Sequence, residues 1–404
     1  MHWRRNLYAV TAASFIGFTG FTLVMPFLPL YFEQLGVTDV GDIALWSGLS
    51  LGVTPAITAF MAPLWGRLAD RYGRKIMVQR SLVSFVFVMA AMAYVSEPWH
   101  VFGLRALQGL FAGYGALTLT MAADSAPREE TAYAIGFVQT AQRLGPALGP
   151  VIGGVVAQAV GLRNAFFVTA SFYLIAVVVV SVGYDERSVL KRDAVEASGR
   201  ITFRSVLAFE NFVLLMAVIF GLQFVDRSFG PVLPLFVDSL GTDDSLVPLL
   251  SGLLFSISAG AGAFGNRLCA SLMQNTGPRR VIATACAVAG IGVAGFLLAG
   301  SAVWLALPTA VFGIAIGTAT TASYTAASSI IPTGARGTGF GLLTTASLVG
   351  LAVSPIVSGL LGATSIRAVF LVDAVLLGGL AIMVSRLMIT SPVPVAAAPP
   401  TEEV

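Results

Sequence analysis

The chain has 404 residues, of which 56% are hydrophobic and 11% charged, with a formal net charge of +3. A soluble domain carries about 25% charged residues, so this chain is solvated mainly by lipid, and its small basic excess excludes a nucleic-acid surface. The two histidines (His2, His100) and two cysteines (Cys269, Cys286) form no cluster with acids in the sequence, and no phosphate loop or hydrolase elbow occurs. No metal, cofactor, disulfide or enzymatic activity is expected.

Twelve apolar segments follow one another, at about 7–31, 43–65, 76–95, 100–122, 133–156, 164–184, 211–236, 247–269, 281–300, 302–325, 338–361 and 367–388. Each is long enough to cross a bilayer as a helix. The first is too long for a cleavable leader and continues into further spans. The pattern predicts an all-α polytopic membrane protein. Of the 23 Lys and Arg, 18 fall in loops or span ends on one side, 2 (Arg163, Arg367) on the other, and 3 (Arg105, Arg143, Arg227) deeper within spans. This asymmetry predicts that both termini are cytoplasmic. The loops predicted outside are short and acidic, with Glu33, Asp39 and Asp42 in one and Asp238, Asp243 and Asp244 in its counterpart.

The chain divides into residues 1–184, a basic linker at 185–210, residues 211–388, and a Pro/Ala-rich tail at 389–404 that is expected to be disordered. An internal repeat supports the division. A shift of 205 residues pairs Asn6 with Asn211, Pro26 with Pro231, Pro29 with Pro234, Gly136 with Gly341, Gly145 with Gly350, Pro150 with Pro355 and Gly154 with Gly359. Two six-helix halves related by a parallel repeat are expected.

Three stretches carry more than a packing signal. The fifth span holds Gly136, Gly145, Gly149, Pro150, Gly153 and Gly154. Glycines four apart share one face and allow close helix approach, while Pro150 removes a donor and bends the helix. A tight packing seam is the plainer reading of that face. The loop after the second span contains Gly66, Asp70, Arg71, Gly73, Arg74 and Lys75. The fourth span contains Arg105, Gln108 and Gly109, followed by Ala112 and Gly113. Arg105 either snorkels to the outside headgroups or faces a wetted cavity.

The spacing in the fifth span, the loop at 66–75 and the fourth-span motif together resemble the twelve-helix drug/proton antiporter family of the major facilitator superfamily. Residues 24–36 resemble the MdtG-type bacterial multidrug exporters, and the likeness extends over nearly the whole chain. The resemblance implies a proton-coupled exporter of amphipathic small molecules in the bacterial inner membrane, working by alternating access as a monomer in lipid. It also implies a cytoplasmic latch of Gly66, Asp70, Arg71, Gly73, Arg74, Lys75 and Asp124. In that latch Asp70 faces the start of the eleventh span near Gly337, and Arg74 pairs with both Asp70 and Asp124. The second half keeps only Gly277, Arg279 and Arg280 of this signature, so the latch is expected to be asymmetric.

Arg105, Asp124 and Asp226 are the candidates for proton coupling. Asp226 is the acid nearest the middle of any span, and Asp373 in the twelfth is next, with a structural role the commoner reading. Asp226 and Arg227 project about 100° apart on a helix, which predicts no direct pair. Candidates for the cavity wall are Phe18, Phe21, Met25, Arg143, Gln223, Arg227, Thr320 and Tyr324. Arg143 either lines the cavity or bonds first-span carbonyls. The Thr/Ser-rich tenth span either wets a wall or bonds its neighbours. The glycine face of the fifth span is expected to meet the small residues 258–262 of the eighth. Many cation exporters of the family carry an acid in the first span, and here there is none before Glu33. With three in-span arginines against two acids, neutral and anionic amphiphiles are expected to be favoured over cations. A narrow-specificity metabolite or sugar exporter is the alternative within transporters. A membrane receptor would have no need for the repeat or the latch.

Overall fold

The computed structural model describes residues 2–127, 130–186, 207–331 and 336–389. Most of the predicted linker and all of the tail beyond Ile389 lie outside them. The chain is helical throughout this range. The amino-terminal half comprises α1 (His2–Leu23), α2 (Leu28–Gln34), α3 (Val40–Tyr72), α4 (Arg74–Met92), α5 (Pro98–Phe111), α6 (Tyr114–Ser125), α7 (Thr131–Val160) and α8 (Leu162–Gly183). The other half comprises α9 (Phe212–Ser239), α10 (Val247–Thr276), α11 (Pro278–Leu297), α12 (Ala306–Ile330), α13 (Arg336–Gly362) and α14 (Ile366–Leu387). Ten of the helices or helical segments are individually long and apolar enough to cross a membrane. The α5–α6 pair and α7 complete twelve crossings. In α7, Gln139, Thr140, Gln142 and Arg143 dilute the hydropathy.

Two crossings are interrupted, which apolar run length alone does not reveal. The first breaks after Leu23, and Pro29 opens α2. The fourth breaks at Ala112-Gly113, where Gly113 adopts φ +130°, a conformation open to glycine and strained for other residues. The carbonyl freed at Phe111 accepts hydrogen bonds from Arg80 Nη2 at 3.0 Å and Ser81 Oγ at 2.7 Å. The Arg80 guanidinium also lies 3.4 Å from the centre of the Trp65 ring. A cation inside α4 thus repairs the break in the neighbouring helix.

Each half buries its own apolar core. One core is built around Phe27, Tyr31, Phe85 and Phe166, the other around Phe229, Phe236, Phe296 and Phe370. The repeat survives in the contacts themselves. Asn6 bonds the Asp185 carbonyl and amide, both at 2.9 Å, and Asn211 does the same to Ile389, also at 2.9 Å. Lys75 Nζ donates to the Ser181 carbonyl at 2.9 Å, and Arg279 Nε to the Ser385 carbonyl at 3.1 Å. Both halves therefore tie their third crossing to the end of their sixth.

The halves meet along two seams, α3 with α13 and α7 with α10. A Cβ added at Gly48 would strike the Pro355 carbonyl, and one at Gly252 would strike the Pro150 carbonyl. One at Gly154 would come within 2.5 Å of the Pro248 carbonyl, and one at Gly359 within 2.6 Å of that of Ala44. These contacts sit towards the end of the molecule that carries the acidic loops. Towards the other end, Gly66, Gly136, Gly260 and Gly341 have nothing within 4 Å of such a Cβ, and Phe60 is 84% exposed. The bundles are closed on each other at the acidic end and parted at the basic end.

The expected partner of the glycine face is corrected. A Cβ at Gly145 would meet the Thr19 amide at 2.8 Å, one at Gly149 the Thr19 carbonyl at 2.7 Å, and one at Gly153 the Leu23 carbonyl. That face seats α1 within the same bundle, while Pro150, Val151 and Gly154 approach α10. The small run at 258–262 packs on α12, where Gly313 and Gly317 approach the Ser258 and Gly262 carbonyls. Four-residue spacing marks a face as small; it does not name the helix that docks there.

Candidate functional site

Helical register relates the candidate residues to the seam between the bundles. A Cβ at Gly230 in α9 would meet Leu51 and Met25 across the seam, at 3.1 and 3.5 Å. Gln223, Asp226 and Arg227 lie one to two turns from Gly230 towards the basic end on the same broad face. All three are half-buried, whereas Leu222, Phe224, Val225 and Ser228 are buried. On α1 and the segment after it, Phe18, Phe21 and Met25 are the half-buried positions in an otherwise largely buried stretch. They recur every three or four residues and so form one stripe along this segment.

Arg143 lies seven and eleven residues before Pro150 and Gly154, within about 20° of each around the helix. Those two residues touch α10, and Arg143 is exposed. It therefore lies on the side of α7 that meets α10 further along the helix. The tenth crossing divides its polar residues. Thr318 donates to the Gly265 carbonyl at 3.0 Å and Thr321 bonds Asn266 at 2.9 Å, both inter-helix contacts. With its amide turned, Asn266 also donates to the Gly317 carbonyl at 2.8 Å. Thr320 and Tyr324 are half-buried one turn apart, and the Tyr324 hydroxyl bonds Ser347.

Asp226 and Arg227 do pair, with Arg227 Nε 3.2 Å from Asp226 Oδ2. The predicted separation treats side chains as spokes; three methylenes let the guanidinium swing across 100° of helix. Both members keep about a third of their surface exposed, at 28% for Asp226 and 33% for Arg227. Neither member of the pair is sealed in a bundle interior. Arg105 behaves differently. It is 2% exposed and hydrogen-bonds Gln108, so it neither snorkels nor faces the cavity. Asp373 is 1% exposed and bonds Ser228 Oγ, a buried tie between α9 and α14.

At the basic end, Arg74 pairs with Asp124. The side chain of Asp70 and that of Thr338 beside Gly337 lie outside the described residues, so the expected facing of Asp70 and the eleventh crossing does too. A residue absent from the expected latch stands beside Arg74 and Lys75. The Glu186 carboxylate accepts hydrogen bonds from the Arg74 amide at 2.8 Å and the Lys75 amide at 3.4 Å, capping the amino end of α4. A Cβ at Gly73, where φ is +97°, would come within 3.0 Å of that carboxylate. Lys75 Nζ also donates to the Tyr184 carbonyl at 2.6 Å. The signal for Glu186 was available: an acid just beyond the sixth crossing, on the same side as a helix amino end.

At the closed end, acids from both halves gather. Burial first, and then Asp238 and Asp244, hold the Glu33 carboxyl above the ordinary carboxylate range. Burial and then Asp244 do the same to Asp238. Parting the bundles there would hydrate and separate these groups. The closed arrangement therefore binds protons more tightly than the open one, so acid favours it, and the advantage is lost as pH rises through the raised values. With spin labels on the 36–39 and 241–246 loops, the short-distance population should shrink as pH rises through and above the ordinary carboxylate range. Glu33→Gln combined with Asp238→Asn should flatten that dependence. An unaltered pH response in the double variant would remove these two groups as its cause.

Comparison with known proteins agrees with this architecture. The sequence profile of the Major Facilitator Superfamily matches residues 10–355 and 304–404. The chain is 35% identical over 285 residues to the multidrug resistance protein MdtG of Yersinia enterocolitica, covering 70% of this chain and 68% of that protein. It is 33% identical over 282 residues to MdtG of Proteus mirabilis, covering 69% and 70%. Among solved structures, it is similar to a bacterial homologue of the human lysosomal transporter Spinster in an inward-facing, occupied conformation. The TM-score there is 0.77 at 16% identity, with 94% of this chain and 96% of that one covered. The nucleoside transporter NupG gives a TM-score of 0.70 at 15% identity, covering 94% and 98%. With its family profile, its relatives and its two paired bundles in agreement, the chain belongs to the Major Facilitator Superfamily and is a multi-pass membrane transporter, not an enzyme.

Proposed function

We propose that this transporter exports amphipathic small molecules in exchange for protons across the bacterial inner membrane, with both termini in the cytoplasm. The observation that carries the reading is the partly exposed Asp226–Arg227 pair, one turn from Gly230, which approaches Met25 at the end of a stripe of Phe18, Phe21 and Met25. Rings and a flexible thioether accept amphiphiles of varied shape, and a cavity acid can take up a proton. The relatives named for multidrug resistance support the substrate class, and the distribution of Lys and Arg supports the orientation. In that orientation the parted basic end faces the cytoplasm, so the conformation described is inward-open, ready to load cargo.

Asp226 is assigned the proton and Asp124 a place in the cytoplasmic latch with Asp70 and Arg74. The transporter is taken to work as a monomer in lipid. Alternating access then requires the α3–α13 and α7–α10 seams to part at the acidic end while the latch closes the basic end. The test is intracellular dye accumulation in an efflux-deficient bacterial host. Expression should lower dye content, and an uncoupler should restore it. Equal accumulation with and without the protein, or a lowering that survives the uncoupler, contradicts the reading.

A further inference from the structure

The interior of the amino-terminal bundle contains a cation without a counter-charge. Arg105 Nη1 donates to Gln108 Oε1 at 3.0 Å. Its Nε and Nη2 are buried with no hydrogen-bond partner among the described residues, and the same holds for Gln108 Nε2 and the hydroxyls of Tyr114 and Tyr173. These four side chains are 2%, 0%, 6% and 0% exposed. They belong to one cluster. Tyr173 lies close enough to Arg105 and to Tyr114 to interact with both electrostatically, and both phenol rings pack on Phe85, at 5.2 and 5.9 Å.

Every acid of this half lies at a crossing end or in a loop. The nearest to Arg105 along its own helix, Glu97, is eight residues away, about 12 Å. The fixed charge therefore meets only neutral groups, and Gln108 Oε1 is the one acceptor bonded to it among the described residues. Water would complete the hydrogen bonds and leave the charge uncompensated, and an isolated charge in a low dielectric is the costlier fault. What the cluster lacks is a single acceptor that also carries a negative charge. The donors match one: a guanidinium edge, an amide NH₂ and two phenolic O–H groups.

We propose that Arg105, Gln108, Tyr114 and Tyr173 form a binding site for a small monovalent anion, either a free ion such as chloride or a carboxylate. Access runs past Phe18. Its ring is 5.3 Å from that of Tyr114, and it stands half-buried in the stripe that ends at Met25 beside the seam, so a rotation of this one side chain opens the way in. The proposal holds whichever way the transporter moves its cargo.

The test is thermal unfolding of the purified full-length protein in detergent. Sodium chloride or sodium acetate replaces sodium gluconate, a much bulkier anion, at constant ionic strength. The wild type should show a saturable rise in melting temperature. A response to chloride at lower concentration than to acetate identifies the free ion, and the reverse order identifies a carboxylate. Arg105→Gln should abolish the rise. If that variant does not fold, Tyr173→Phe decides, since loss of one donor to an anion should raise the half-saturating concentration roughly tenfold. A wild-type melting temperature that is the same in all three salts overturns the proposal. So does a full response in Arg105→Gln, or an unshifted midpoint in Tyr173→Phe.

Discussion

Gly153→Ala will sharply destabilise the protein, while Gly136→Ala, a change of the same type in the same motif, will leave its melting temperature nearly unchanged. A methyl group at Gly153 would overlap the Leu23 carbonyl, and backbone cannot turn aside as a long side chain can. Overpacking a close-packed interior costs about 1–3 kcal/mol and sometimes more, and here α1 would have to withdraw from α7 along the whole glycine face. At Gly136 the added methyl meets nothing within 4 Å. In detergent, Gly153→Ala should melt several degrees lower or fail to purify as a single species. Equal melting of the two variants would mean that the α1–α7 packing described here is wrong. Any transport defect in a fully stable Gly136→Ala would point to a contact made only after the basic end closes.

Much of this arrangement is legible in the sequence, for physical reasons. Membrane crossings are long apolar runs because lipid cannot satisfy a bare backbone, so all twelve could be drawn. The 205-residue repeat pairs glycines and prolines, the residues whose replacement backbone contacts tolerate least. Its reach into tertiary contacts, Gly145 against the Phe15 carbonyl and Gly350 against that of Phe220, is the structural counterpart. The Arg74–Asp124 pair follows from motif likeness. What could not be read is which surface opposes which. The glycine face docks on α1 because bundle topology places it there. Asp226 and Arg227 pair because a long side chain escapes its helical spoke. Arg105, expected to face water or a partner, bonds Gln108 and is buried in the bundle that holds Tyr114 and Tyr173, side chains on separate crossings or turns. The helix break that Arg80 repairs needed three helices in view at once.

Asp226→Asn is the second change expected to have a large effect. It is expected to cut dye export at least tenfold while leaving the protein folded and membrane-inserted. The pair with Arg227 is partly exposed, so its loss should cost little stability; exposed ion pairs contribute about 0–1 kcal/mol. The functional cost is of another kind. An amide cannot exchange a proton, and it leaves Arg227 as a fixed cation in the cavity through the whole cycle. The charge balance of the candidate cavity residues, with Arg143 and Arg227 against Asp226, also predicts that lipophilic cations are exported less well than neutral or anionic amphiphiles of similar size. Export of lipophilic cations in preference to anions would refute that charge argument and leave the fold assignment standing. Undiminished export by Asp226→Asn would move the coupling proton elsewhere, with Asp124 the next residue to test.

Everted membrane vesicles, acidified inside by respiration and reporting their pH gradient through a quenched dye, test proton-for-substrate exchange most directly. Adding a transported amphiphile should release protons from the lumen and partly restore fluorescence with wild-type protein. The same addition should produce no response with Asp226→Asn. Substrate entering wild-type vesicles while the pH gradient stays unchanged would contradict proton-coupled export.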